Sequence, residues 1–375
     1  MKSLFGLLVL CLLAVTLTRA APGFPQPVPL NAPILAADTA EQDAIILYDV
    51  SAGTERVLNF GDGLHRVWGF TPDGCRVVLT LADGAALARL YTARLDGGDL
   101  RELVTYEPVG GGEWGVWEPG VQPNGDRIAF TLVSRDAAGE LQHHVAWVNV
   151  DGGTAETYSV SGDEHTARWS PDGAWLAYVS YETAPPVEGS TTVVREADLW
   201  VVSADGQTKH RLTTFISGSV SMPRWSPDGD LIGFVYSPSA NNDQFWMIGN
   251  APDALPTQLS FQPALALDLT WLPNSTAMIA AARDMQGVAE NRLWNIPLVG
   301  NADTDAVQLA LDPALTYVDY PRFSPDGSLL ALRSAYALAL VNSADGTLVW
   351  LDETRPGNTP PVWSPAEFAG EAACG

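Results

Sequence analysis

A five-residue phrase recurs about every fifty positions along this chain: an aromatic residue, Ser or Thr, then Pro-Asp-Gly, with an apolar run behind it. It reads Phe70-Thr-Pro-Asp-Gly74, Trp169-Ser-Pro-Asp-Gly173, Trp225-Ser-Pro-Asp-Gly229 and Phe323-Ser-Pro-Asp-Gly327. Weaker copies stand at Val121-Gln-Pro-Asn-Gly125, Trp271-Leu-Pro-Asn-Ser275 and Trp363-Ser-Pro365. The prolines follow one another at steps of 51, 48, 56, 46, 52 and 40 residues. A period of that size means a repeat architecture, in which each unit is too small to bury its own apolar faces.

The unit can be read from the copy at Trp169. Thr166 to Ser170 forms a short strand and Pro171-Asp-Gly173 its turn, because Pro fixes φ, Asp bonds its own backbone and Gly accepts positive φ. Ala174 to Ser180 follows as a second strand, Asp198 to Val202 as a third, and His210 to Thr213 as a fourth. Four antiparallel strands in about fifty residues make one blade of a β-propeller. The third strand recurs with an aromatic at the matching place in Ile45 to Tyr48, Ala88 to Tyr91, Val145 to Trp147, Leu199-Trp200, Phe245-Trp246 and Leu293-Trp294.

The two chain ends define how the ring closes. The N-terminal part offers Pro33 to Ala36, Ile45 to Val50 and Arg56 to Phe60, the second, third and fourth strands of a blade without its first. Pro361-Val-Trp-Ser364 supplies the missing piece from the other end. Six internal blades and one composite give an all-β, seven-bladed propeller; six blades is the alternative. The tail then leaves beside the Pro72-Asp-Gly-Cys75 turn, and Cys374 lies within an extended reach of about 30 Å. A Cys75–Cys374 disulfide is expected, since these are the two cysteines that follow the N-terminal apolar stretch.

That stretch, Leu4 to Leu17 after Lys2 and ending in Thr18-Arg19-Ala20, reads as a signal peptide over residues 1–20. Residues 21–32 read as a Pro-rich leader and 33–375 as a single propeller domain. Localisation is therefore expected to be secreted or periplasmic. Hydrophobic residues make up 46% and charged residues 17%, enough apolar material for a large core. Net charge is −24, which disfavours nucleic acid and anionic membranes as partners. The expected form is a monomer, without membrane insertion once the signal is removed.

The phrase Arg-Trp-Ser-Pro-Asp-Gly, followed by Ala-Trp-Leu-Ala-Tyr178, resembles the WD40-like (PD40) repeats of TolB-type β-propellers. The resemblance runs over nearly the whole chain after the signal. It implies an exported propeller that binds a protein, a peptide or a glycan. It does not fix the chemistry, because the same blades occur in scaffold proteins, peptidase propeller domains and polysaccharide lyases. The additional N-terminal α/β domain of TolB itself has no counterpart in this sequence.

No Gly-x-Ser-x-Gly elbow, phosphate-binding glycine loop, Cys-x-x-Cys or His-Glu-x-x-His appears in the sequence. His65 and His165 each precede a first strand, and the matching regions of other blades carry Glu118, Asp268 and Asp319. First strands line the channel of a propeller, so these groups are expected at one channel mouth. There they could bind a ligand or a divalent cation, or serve a polysaccharide lyase or hydrolase. Trp114 and Trp117, in a glycine-rich connection on the same face, are the expected interface anchors. Arg168, Arg224 and Arg322 precede motif aromatics and should enter the seams between blades, with Asp73, Asp172, Asp228 and Asp326 as candidate acceptors. Asn301-Ala-Asp303-Thr-Asp305 reads as a polar turn rather than a calcium loop. The leading reading is a non-enzymatic binding scaffold without a cofactor.

Overall fold

The computed structural model describes residues 30–374 apart from positions 85, 109–110, 124, 137, 159–162, 184–194, 336 and 353–358. The signal and most of the leader expected from the sequence lie outside the described residues. Seven four-stranded antiparallel sheets follow one another around a ring. Six are continuous in sequence, and the seventh joins both ends of the chain. With blade 1 as that composite, the first strands of blades 2 to 7 are Leu64–Phe70, Trp114–Val121, Asp163–Trp169, Ser219–Trp225, Leu265–Trp271 and Val318–Phe323.

The repeated phrase folds by local chemistry. In blade 4 the Ser170 hydroxyl donates to Asp172 at 2.5 Å, and the Ala174 amide donates to the same carboxylate oxygen at 3.0 Å. Gly173 sits at φ 70° and its amide reaches the Ser170 carbonyl at 2.9 Å. The same hydroxyl-to-aspartate bond closes the turns at Thr71–Asp73, Ser226–Asp228 and Ser324–Asp326. The turn aspartates are thus spent on their own hairpins and are not the acceptors of the motif arginines.

The motif tryptophans do more than fill the core. The Trp169 indole donates to the Gly120 carbonyl of the preceding blade at 3.1 Å, and Trp225 donates to Arg168 O at 2.9 Å. Trp271 reaches Arg224 O at 2.9 Å and Trp363 reaches Arg322 O at 3.0 Å. In these four blades one side chain therefore fastens the blade to its neighbour. Among the described residues, seven apolar clusters lie one in each seam between neighbouring blades. One example packs Ile34, Ile45 and Leu47 against Val67, Val77 and Leu79. Burial of both faces of every blade is what requires a closed ring.

Closure follows the sequence expectation. Strand Ile34–Asp38 pairs on one side with Ile45–Asp49 and on the other with Val362–Trp363, Leu35 opposite Trp363 and Ala36 opposite Val362. Ser364 clamps the join, accepting from the Ile34 amide at 3.0 Å and donating its own amide to Ile34 O at 2.9 Å. The tail then packs on blade 2. Gly74 must be glycine, since φ is 73° and a Cβ would stand 2.4 Å from the Phe368 ring. Cys75 and Cys374 form the expected disulfide, Cα atoms 5.5 Å apart. A cross-link spanning 299 residues removes about 6 kcal/mol of unfolded-state entropy on the chain-entropy model.

Candidate functional site

The Pro-Asp-Gly turns occupy one face of the ring. The opposite face carries the entries to the first strands and the hairpins between second and third strands. On that face, at the seam of blades 3 and 4, three side chains meet. His143 starts the third strand of blade 3 (Leu141–Asn149), while Asp163 and His165 start the first strand of blade 4. His143 Nδ1 lies 2.6 Å and His165 Nε2 lies 2.7 Å from the same oxygen, Asp163 Oδ1. That oxygen can accept from either ring, the tautomer deciding which nitrogen carries the proton. Each ring has an aromatic neighbour: Trp117 at 5.1 Å from His143, and Tyr181 edge-on at 5.4 Å from His165.

The surroundings are open on two sides. A cavity of about 540 Å³ is lined by Arg135, Gly139 to His143 and Asp163. A second, of about 380 Å³, lies between blades 2 and 3 against Arg66, Trp68, Thr80, Trp117 and Glu118. Trp117 is 40% exposed, so a large apolar ring stands open at the second of these cavities. Behind the histidines the seam is tied by Glu164, which is buried. It accepts from the Val145 amide at 3.1 Å and pairs with Lys209 at 3.3 Å.

Of the residues chosen from sequence, His165 and Trp117 meet through His143. The others do not join them. His65 is 1% exposed, and both ring nitrogens face backbone: the Phe60 amide donates to Nε2 at 3.1 Å and Nδ1 lies 3.0 Å from Gly63 O. It braces a loop. Trp114 is no loop anchor; it is buried in the first strand of blade 3, with the Arg89 guanidinium 3.5 Å over its ring. Asp319 is held by Arg333 in a two-pronged pair at 2.7 and 2.6 Å, and burial raises its pKa. Asp268 is buried between Arg224 at 2.9 Å and Arg322 at 2.6 Å. These charges overcome its desolvation, and its pKa is lowered.

The three motif arginines correct the sequence reading. Thr166, Met222 and Tyr320, two residues ahead of each, sit at φ 58°, 55° and 51° beside a register shift in the strand. Such a bulge re-aims the side chains that follow, so simple alternation fails. Arg168 pairs with Glu118 of the preceding blade at 2.9 Å, while Arg224 and Arg322 share Asp268. Burial depresses the pKa of Arg168, and repulsion from Arg224 and Arg322 adds to the effect. Arginines from blades 4, 5 and 7 therefore converge across the ring axis. Asn301 caps a single helical turn, Ala302–Asp305, and Asp303 accepts from the Phe261 and Gln262 amides, so that segment is a polar brace.

The sequence reading missed Asp163 and gave His143 no role. Their common signal is position: the start of a third strand and the start of the next first strand share one rim.

No protein-family model matches the chain. An uncharacterized protein of Agrobacterium fabrum is 28% identical over 140 residues, 36% of this chain and 45% of that protein. An uncharacterized peptidase of Bacillus subtilis, YuxL, is 30% identical over 119 residues, 31% of this chain and 16% of that protein. The chain thus matches less than half the length of either curated relative. Among solved structures, a puromycin-hydrolyzing peptidase of Mycobacterium tuberculosis has a TM-score of 0.60 at 12% identity, over 92% of this chain and 56% of that one. An oligogalacturonate lyase of Vibrio parahaemolyticus has a TM-score of 0.53 at 12% identity, over 84% and 89%. TolB of Acinetobacter baumannii follows at 0.49 and 15%, over 89% and 66%. At these identities the likeness is one of fold alone.

Proposed function

We propose that this chain is an exported, non-enzymatic β-propeller scaffold that binds a protein or peptide partner through the face opposite its Pro-Asp-Gly turns. Export rests on the N-terminal pattern of residues 1–20. Among the described residues no helix is long and apolar enough to cross a membrane. The observation that carries the binding reading is Trp117, 40% exposed at the edge of the cavity between blades 2 and 3 and beside the His143 imidazole. An aromatic ring on a rigid sheet loses little entropy on contact, and such anchors carry a large share of binding energy. The TolB-like repeat phrase supports a partner of this kind.

A photo-reactive amino acid at position 117 is expected to cross-link one defined partner in the native compartment. The same group at Asp230, on the turn face, should not. Equal capture from both faces, or none from position 117, would contradict the reading. For an identified partner, Trp117→Ala should weaken affinity by about 10- to 100-fold.

A second reading, a propeller acting on polysaccharide, is favoured by one feature. His143, Asp163 and His165 form a cluster of titratable groups against a cavity, the kind of group an acid/base reaction needs. Turnover of an acidic polysaccharide that is lost in His165→Ala would favour it.

A further inference from the structure

The geometry points to a binding site for one borderline transition-metal ion, of the Zn²⁺ class, held by His143, Asp163 and His165 across the seam of blades 3 and 4. The three ligand atoms, two imidazole nitrogens and one carboxylate oxygen, lie within 4.8 Å of one another. Two imidazoles with one carboxylate select zinc, cobalt or nickel over calcium and magnesium, which prefer all-oxygen shells. All three groups are partly buried, with 13%, 17% and 24% of the side chains of His143, Asp163 and His165 exposed. An ion could therefore enter from the adjoining cavity and keep an open position facing it.

The site is spaced for hydrogen bonding, and the change on loading is small. Bonds of about 2.0–2.2 Å to an ion hold neighbouring ligand atoms about 3 Å or more apart. The present N–O separations are 2.6 and 2.7 Å, so Asp163 must withdraw by a few tenths of an ångström. Each imidazole binds the ion through the lone pair of its unprotonated facing nitrogen, with a proton on its other nitrogen. The ion replaces two hydrogen bonds with three ligand bonds and ties the two blades together on the loop face. This assignment does not rest on the face binding a partner; a failed cross-link at Trp117 leaves it standing.

The test is calorimetric titration of chelator-treated full-length protein with Zn²⁺ alone, and with Ca²⁺ for comparison. One Zn²⁺ per chain is expected and no matching Ca²⁺ event. His165→Ala and Asp163→Asn should each weaken Zn²⁺ binding at least about tenfold, while His144→Ala, whose imidazole is not a ligand, should not. Should either variant fail to fold, Co²⁺ added to the wild-type protein gives an independent readout. Visible ligand-field bands, with quenching of Trp117 fluorescence, are expected. No stoichiometric Zn²⁺ event, equal binding of Ca²⁺, unchanged affinity in folded His165→Ala, or a colourless Co²⁺ titration would each overturn the assignment.

Discussion

At the scale of single residues, buried carboxylates differ in how far their partners offset the loss of solvent, and Asp38 is one at which burial prevails. It is wholly buried at the end of its strand, accepting from the Thr359 hydroxyl and, at 3.2 Å, from the Gln42 amide. Burial outweighs those bonds and the more distant attraction of Arg66, so its pKa is raised. A raised folded-state pKa means that the native protein holds this proton more tightly than the unfolded chain does. The resulting stabilisation is complete below the unfolded-state pKa and is lost as pH rises through the folded-state value. Asn at this position avoids the buried charge. Asp38→Asn should therefore gain melting temperature relative to wild type as pH is raised from about 4 to about 8. A gap that stays constant or shrinks over that range would show that Asp38 is not the strained group. Asp268 is the contrast: two guanidinium groups compensate it, and its pKa moves the other way.

At the scale of the blade, the motif aromatic is the part that converts a local repeat into a ring. Each indole bond to the preceding blade joins a buried donor to a carbonyl that would otherwise lose its partner. Trp225→Phe keeps most of the ring volume and removes the bond to Arg168 O. It should cost about 1–3 kcal/mol in urea unfolding, with an unchanged slope; a change within error would mean water replaces the indole. Blades 2 and 7 already carry Phe70 and Phe323 at this place, so the bond is not needed in every seam. The blades were legible in the sequence because their turns are built from near-consecutive residues: Ser170, Asp172 and the Gly173 amide bond to one another and to the strand that follows, and one added tie is Gln122 of the preceding blade donating to Gly173 O at 2.7 Å. The site was not, because His143 and Asp163 are twenty residues apart and belong to different sheets. Their meeting depends on how far each strand extends at the rim, and no local pattern encodes that. The arginines were misplaced for a related reason. The bulges at Thr166, Met222 and Tyr320 put ordinary side chains at positive φ, and nothing in those residue types announces it.

At the scale of the whole molecule, the loop face exists as one surface only because the ring is closed. Seven seams share the burial, and blade 1 is completed by two residues, Val362 and Trp363, added to a strand from the other end of the chain. Around that short pairing stand the Ser364 clamp, the Trp363 indole bond to Arg322 O, the Arg56–Glu371 ion pair at 2.7 Å and the Cys75–Cys374 bridge. The closure was foreseen from the orphaned strands at both ends, which needed one another to complete a sheet. The most direct test is a chain ending at Thr359, compared with the full-length protein by thermal unfolding and solution scattering. Closure by the C-terminal strand predicts loss of the single cooperative transition and a larger radius of gyration, because blade 1 loses its inner strand. An unchanged melting temperature and an unchanged radius would contradict it.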